Sequence, residues 1–235
     1  MRFDFDKDTD WREGVVLLFD KPLDWTSFNL VSKVRSLLYY RLGLKKIKVG
    51  HAGTLDPLAT GLLVVCVGKA TKQVNQIQEQ EKEYVATFKV GSTTPSFDLE
   101  TEIDQEYPFE HITEDLVNET INGFMGPQMQ VPPLFSAKFV NGGRAYKLAR
   151  RGVEMELDAS PIVINKMELI DFNLPLVTVK VNCSKGTYIR AMARDFGNRM
   201  NSGAHLVELK RTAIGSLRVE NAMTLDYFEK KISQM

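Results

Sequence analysis

Residues 50–61, Gly50-His-Ala-Gly-Thr-Leu-Asp56-Pro-Leu-Ala-Thr-Gly61, constrain this chain more than any other stretch. Runs on either side, 45–49 and 62–67, carry the apolar or basic character of strands. The segment between them combines Gly50, Gly53 and Gly61 with Pro57 and small polar residues around a lone carboxylate, Asp56. Glycine lets backbone or ligand approach closely, and proline disfavours the α region for the residue before it. A stiff connection between two strands therefore presents one acid at a fixed angle. An isolated aspartate in a glycine-rich loop is by default a turn or capping residue. The rest of the sequence decides whether that default holds.

The flanking pattern predicts the architecture. Residues 15–19 read as a buried strand, and Thr26 or Ser27 is placed to cap a helix running to about residue 40. The unbroken apolar run 62–67 suits a central strand; a polar helix near 70–81 leads into a strand at 84–90. Thr113 caps a helix through Ile121, which Gly123 and Gly126-Pro127 stop. Residues 128–143, rich in Pro, Gly and aromatics, form an ordered loop or hairpin. Strands at 162–172 and 176–183 pair, and Gly186-Thr187 opens a helix to about residue 200. A strand at 206–214 and a short amphipathic helix from Leu225 close the chain. Strands and helices mix without strict βαβ alternation, which predicts an α+β fold.

Composition narrows the class. At 235 residues, 43% hydrophobic and 26% charged, the chain can bury a substantial core and resembles ordinary globular proteins. No run approaches the roughly 18 apolar residues of a membrane span. The acidic start, Met1-Arg-Phe-Asp-Phe-Asp, lacks the apolar core of a signal peptide. Cys66 and Cys183 lie far apart inside predicted strands, which fits free buried thiols in a reducing cytoplasm.

Thirty basic residues balance thirty acidic ones, yet their distribution is uneven. Residues 98–119 are acidic. Arg144, Lys147, Arg150 and Arg151 make one basic cluster, Lys45, Lys46 and Lys48 a second beside the Asp56 loop, and Lys210 with Arg211 a third. A single charge run is usually a solvated face. Three flanking motif residues are read as one discontinuous patch for phosphates.

Two other chemistries fail on spacing. Gly61-Leu-Leu-Val-Val-Cys-Val-Gly68-Lys-Ala70 is too long for a phosphate loop and has Ala70 where Ser or Thr is required. His51, His111 and His205 are scattered without HxH or HExxH spacing, so no metal site is expected, and Asp98 alone does not make one.

The string His51-Ala-Gly-Thr-Leu-Asp-Pro-Leu-Ala-Thr-Gly61 closely resembles the catalytic motif of the TruB family of tRNA pseudouridine synthases. Further matches follow in order: Leu17-Leu-Phe-Asp-Lys-Pro22 with Trp25-Thr-Ser27, Gly68-Lys-Ala-Thr-Lys72, and Lys82-Glu-Tyr84. Then come Pro132-Pro-Leu-Phe-Ser-Ala-Lys138 with Gly143-Arg-Ala-Tyr-Lys-Leu-Ala-Arg150, Cys183-Ser-Lys-Gly-Thr-Tyr-Ile-Arg190, and Gly203-Ala-His-Leu-Val-Glu-Leu-Lys-Arg-Thr212. The resemblance implies a pseudouridine synthase-like fold, a large mixed, mainly antiparallel sheet flanked by helices. It implies one catalytic domain over residues 1–235, with an RNA-contacting insertion at about 128–151. Only about twenty residues follow Arg218, too few for the PUA domain that many family members carry.

The implied reaction converts uridine at position 55 in the T loop of tRNA to pseudouridine. The C1′–N1 bond breaks and a C1′–C5 bond forms; nothing is oxidised and no group enters, so no cofactor or metal is needed. A carboxylate can serve as covalent catalyst. The resemblance gives that role to Asp56 and leaves open attack at C1′, addition at C6 or a glycal-like intermediate. It makes Arg190 the ion-pair partner, offsetting the desolvation that would otherwise protonate the acid. It makes Tyr84 the residue stacking on the base. His51, Lys72, Tyr188 and Leu209 match substrate-contacting positions, with His51 entering the gap left when the uridine is extruded. Arg144, Lys147, Arg150 and Arg151 would meet RNA phosphates, beside Phe135 and Tyr146 as stacking groups. The expected partner is the tRNA T arm, with no obligatory protein partner and a monomeric chain. A non-catalytic RNA chaperone on the same fold would have no need of Asp56, Tyr84 and Arg190 together. A synthase acting on another RNA would keep all three.

Overall fold

The computed structural model describes residues 5–136, 139–140, 143–144, 155 and 157–235, with backbone alone at 139, 140, 143 and 144. In chain order the first elements are β1 (Val15–Lys21), α1 (Ser27–Leu42), β2 (Val49–His51), β3 (Ala59–Val67), a 3₁₀ turn (Gly68–Gln73), α2 (Val74–Glu79) and β4 (Lys82–Val90). Next come β5 (Ser92–Thr93), β6 (Gln105–Glu106), α3 (Glu114–Gly123), β7 (Gly126–Gln130), β8 (Phe139–Val140) and β9 (Gly143–Arg144). The rest are β10 (Ser160–Asn173), β11 (Leu176–Cys183), α4 (Ile189–Arg199), β12 (Ala204–Ile214), β13 (Leu217–Arg218), a second 3₁₀ turn (Val219–Asn221) and α5 (Leu225–Ser233). They make the expected α+β fold, a large, mainly antiparallel sheet with flanking helices. The chain divides into two compact units, Met1–Tyr84 with Leu209–Met235, and Val85–Glu208.

In the first unit β3 is the organising strand. β1 runs antiparallel along its whole length, from Val15 opposite Val67 to Lys21 opposite Gly61. β2 pairs antiparallel with its far end, His51 opposite Val65, and β12 pairs parallel with its near end, Arg211 opposite Gly61. Both faces are covered. Val15, Leu17 and Phe19 of β1 join Leu63, Val65 and Val67 of β3 against Leu30, Val34 and Leu38 of α1 and Phe228 of α5. Val16, Leu18, Leu62, Val64 and Cys66 point the other way, onto Ala52, Ile77 and Ile214. A strand buried on both faces needs apolar residues at every position, which is why 62–67 shows no alternation. Thr26 caps α1 by accepting from the Asn29 N–H.

Two local expectations shift. Residues 45–48 do not enter a strand: Lys46 turns the chain at φ 58°, and β2 begins only at Val49. The helix expected near 70–81 is split into the 3₁₀ turn and the shorter α2, because the chain enters it through Gly68 at φ 61°. A Cβ on Gly68 would sit 2.1 Å from the Trp11 carbonyl oxygen, so this position requires glycine and packs the 11–12 turn against it.

In the second unit β10 pairs antiparallel with both β11 and β7. Phe88 of β4 meets Phe196 of α4 at 5.2 Å between ring centres, and Phe124 stacks on the same ring. Thr113 caps α3 by accepting from the Leu116 N–H. β8 pairs antiparallel with β9, within the segment expected to form a loop or hairpin.

Candidate active site

The loop joining β2 to β3 carries Asp56, which is half-buried. Three side chains fasten this loop, all within the first unit. Ser27, at the start of α1 and 2% exposed, accepts from the Leu55 N–H at 2.8 Å and donates to the Leu55 carbonyl at 3.2 Å. One hydroxyl thus satisfies both backbone groups of the residue before Asp56. The Lys21 ammonium, at the end of β1, donates to the carbonyls of Pro22 (2.8 Å), Trp25 (2.6 Å) and Pro57 (3.3 Å), the last being the residue after Asp56. The Arg211 guanidinium, 1% exposed, reaches Leu62 O at 2.8 Å, Gly53 O at 3.0 Å and Thr54 O at 3.3 Å. Gly61 lets β12 come this close: a Cβ there would lie 2.3 Å from Arg211 O, and its φ is 97°. The carboxylate therefore sits on a backbone with little freedom to move.

The electrostatics follow from burial. Desolvation lowers the Lys21 pKa to about 8, while Asp56 and Asp24 pull it back up. At neutral pH Lys21 remains a cation, with Asp56 the carboxylate that contributes most to holding its charge. His51, half-buried at the end of β2, has its pKa lowered by burial first and the Arg211 charge second. Its imidazole is neutral at pH 7. Tyr84 is 8% exposed on β4. Leu209 pairs in register with Ala59, three residues beyond Asp56, so β12 brings it alongside the loop. Lys72 is exposed on the 3₁₀ turn.

Arg190 and Tyr188 belong to the second unit. Arg190 is no surface arginine: it is 4% exposed, its Nε lies 3.5 Å from Asp98, and its Nη atoms donate to Ser96 O (3.3 Å) and Phe135 O (2.9 Å). Tyr188, just ahead of α4, is held through its backbone by Gln130, which accepts from its N–H at 2.8 Å and donates to its carbonyl at 3.1 Å. His205 and His111 bond to the carbonyls of Ser92 and Met200. The side chains of Arg144, Lys147, Arg150 and Arg151, with Tyr146, lie outside the described residues.

Sequence reasoning missed the three fasteners. Lys21 lies inside a family-like motif that gives it no role, Ser27 reads only as a candidate helix cap, and Arg211 reads with Lys210 as part of a phosphate patch. The structure corrects that grouping: Arg211 is spent on backbone carbonyls, while Lys210 is exposed. The available signal was burial, since a cation in the strand 206–214 falls on either the wet or the packed face. Among the described residues no group of three His, Cys, Asp or Glu side chains could hold a metal, and no helix is long and apolar enough to cross a membrane.

Comparison with known proteins places the chain as a whole. Residues 41–189 match the model of the TruB family pseudouridylate synthase N-terminal domain. The chain is 54% identical to tRNA pseudouridine synthase B of Phocaeicola vulgatus over 224 residues, covering 95% of each protein. It is 53% identical to the protein of that name from Bacteroides thetaiotaomicron, again over 95% of each. Among solved structures it is similar to a chain of a Cbf5-Nop10-Gar1 complex, at TM-score 0.70 and 26% identity, covering 94% of this chain and 54% of that one. A second similar structure is an H/ACA RNP bound to a substrate RNA containing 2'-deoxyuridine, at TM-score 0.67 and 25% identity, over 92% of this chain and 52% of that one. The chain thus spans about half the length of these structural relatives.

Proposed function

The chain belongs to the TruB family of pseudouridylate synthases, and on that premise we propose that it isomerises the uridine at position 55, in the T loop of tRNA. It is an isomerase, a tRNA pseudouridine synthase. The observation that carries the mechanistic reading is the fastened loop. Ser27, Lys21 and Arg211 hold the backbone on both sides of Asp56, and a catalytic group fixed before substrate arrives spends less of the barrier on orientation.

The uridine leaves its stack to reach the carboxylate. Ionised Asp56 is the nucleophile that traps the fragments while C1′–N1 is broken. The base turns, the Asp56 carboxylate is released as C5 bonds to C1′, and the C5 proton departs as N1 gains one. The product is an isomer of the substrate. Tyr84 stacks on the base, Arg190 supplies the cation that keeps Asp56 ionised in the closed site, and Tyr188 and Leu209 bound the pocket. Neutral His51 offers a planar ring to the gap in the RNA without bringing a charge. Lys72 and the cluster Arg144, Lys147, Arg150 and Arg151 contact RNA. Both units belong to one catalytic domain with residues 128–151 as its RNA-contacting insertion, acting as a monomer in the cytoplasm without an obligatory protein partner.

The test is tritium release from 5-tritiated uridine in a T-arm stem-loop, with the modified position mapped afterwards. Wild type releases tritium from the T-loop uridine; Asp56→Asn binds the same RNA and releases none. Release by Asp56→Asn, or parallel loss of binding and turnover, removes Asp56 from the nucleophile's role.

A further inference from the structure

The sheet of the second unit has an uncovered edge. β11 lies along one side of β10 from Ile164 to Asn173, but β7 lies along the other side only from Ser160 to Ile164. Upstream of Gly126, where a longer β7 would run beside residues 166–172, the chain is the helix α3, which turns into the sheet through Gly126 at φ 89°. Among the described residues, no strand pairs with the outer edge of β10 from Lys166 to Phe172. This edge and α3 border a groove of about 600 Å³, lined by Glu114 and Asn118, one helical turn apart, and by residues 168–172.

The chemistry of the groove is one-sided. Glu114, Glu168 and Asp171 bring three carboxylates to its walls, and no cation is among its lining residues. Lys166, two positions along β10, reaches Glu168 at 2.7 Å. Among the described residues, no cation lies within salt-bridge distance of Glu114 or Asp171. Between Leu169 and Asp171 the register with β11 slips, which leaves Ile170 as the extra residue of a bulge, 56% exposed.

We propose that this edge takes an extended, basic segment of a partner protein as one more strand of the sheet. Main-chain hydrogen bonds to an open edge supply affinity, and alternate side chains supply selection. Residues 166–172 offer about 20 Å of edge, the length of a typical strand. Lysine or arginine on the incoming segment meets Glu114 and Asp171, and an apolar side chain between them covers Ile170. A second copy of the same edge is a poor occupant, because it brings the same carboxylates face to face. Bulges and charges of this kind guard an edge against its own kind, and here they leave a basic strand as the complement. RNA phosphates meet the same repulsion.

The experiment measures binding of a fluorescein-labelled heptapeptide, alternating lysine and valine, to the full chain by fluorescence anisotropy. Two further probes carry N-methyl groups on the lysines or on the valines. Neighbouring residues of a strand turn their N–H groups to opposite sides, so a segment paired along one side loses binding with one methylated set and keeps it with the other. The losing set binds at least about tenfold more weakly, for three or more hydrogen bonds removed. Glu114→Gln/Asp171→Gln loses two ion pairs and binds the parent peptide roughly 2- to 30-fold more weakly. Glu102→Gln/Glu106→Gln, which removes two exposed acids elsewhere in the unit, binds it as wild type. Equal loss with both methylated sets, equal binding by the two variants, or no binding at about 1 mM peptide would overturn the added strand. A dimer in sedimentation that Ile170→Lys dissolves would give the edge to a second copy and overturn the partner.

Discussion

Removing the Ser27 hydroxyl tests the claim that the Asp56 loop is held by its neighbours rather than by its own sequence. Ser27→Ala strands the Leu55 N–H and the Leu55 carbonyl together, in a residue only 4% exposed. Each buried group left without a partner costs about 1–3 kcal/mol. Alanine returns about 0.5 kcal/mol through better helix propensity in the first turn of α1. The net loss is about 1.5–5.5 kcal/mol, and for a chain of this size each kcal/mol lowers Tm by about 2–4 °C. A fall of roughly 3–22 °C is expected by calorimetry. Turnover at 20 °C, where the variant remains folded, falls about tenfold to a hundredfold, because a displacement of about 1 Å at the reacting group costs on that order. A Tm within about 1 °C of wild type would refute the clasp. A lowered Tm with unchanged turnover would refute its role in positioning Asp56.

Three further outcomes are expected. Gly61→Ala forces a Cβ against the Arg211 carbonyl at a φ of 97°, so it disrupts the parallel pairing of β3 with β12 and costs more than the roughly 1–3 kcal/mol of backbone strain alone; urea unfolding at a midpoint near wild type would contradict this. His51 has a folded pKa below its unfolded value of 6.5, so below about pH 6.5 the unfolded chain binds the proton first and stability falls with pH. His51→Gln should therefore lose less Tm than wild type between pH 7 and pH 5. Burial raises the Cys66 thiol to about 11 and encloses Cys183 as well, so a thiol reagent at pH 8 labels neither cysteine in the native protein and both in denaturant.

Elements governed by local rules were legible in the sequence. Thr26 and Thr113 announced α1 and α3 because a cap bonds within its own first turn. The run 62–67 announced a strand covered on both faces. Lys46 was not legible: nothing short-range distinguishes a lysine forced into a left-handed turn from one extending a strand. The same holds at the site. Asp56 stood out by its motif. The fasteners did not, since Arg211 meets the loop only through a strand pairing 150 residues downstream in order of magnitude. Asp98 was noticed as a lone acid, and its contact with Arg190 depends on contacts no spacing rule reveals.

The span between the loop and Arg211 has a meaning during synthesis. Gly53 and its guanidinium partner are 158 positions apart. At a ribosomal pace of about 5–20 residues per second, the motif waits roughly 8–30 seconds after emerging before the strand that braces it has been made. A nascent chain carries the whole Asp56 signature long before it owns a rigid Asp56 loop. Rigidity arrives with one of the last strands, so a chain cut short before Arg211 holds every motif residue up to Arg190 and lacks the brace that sets Asp56.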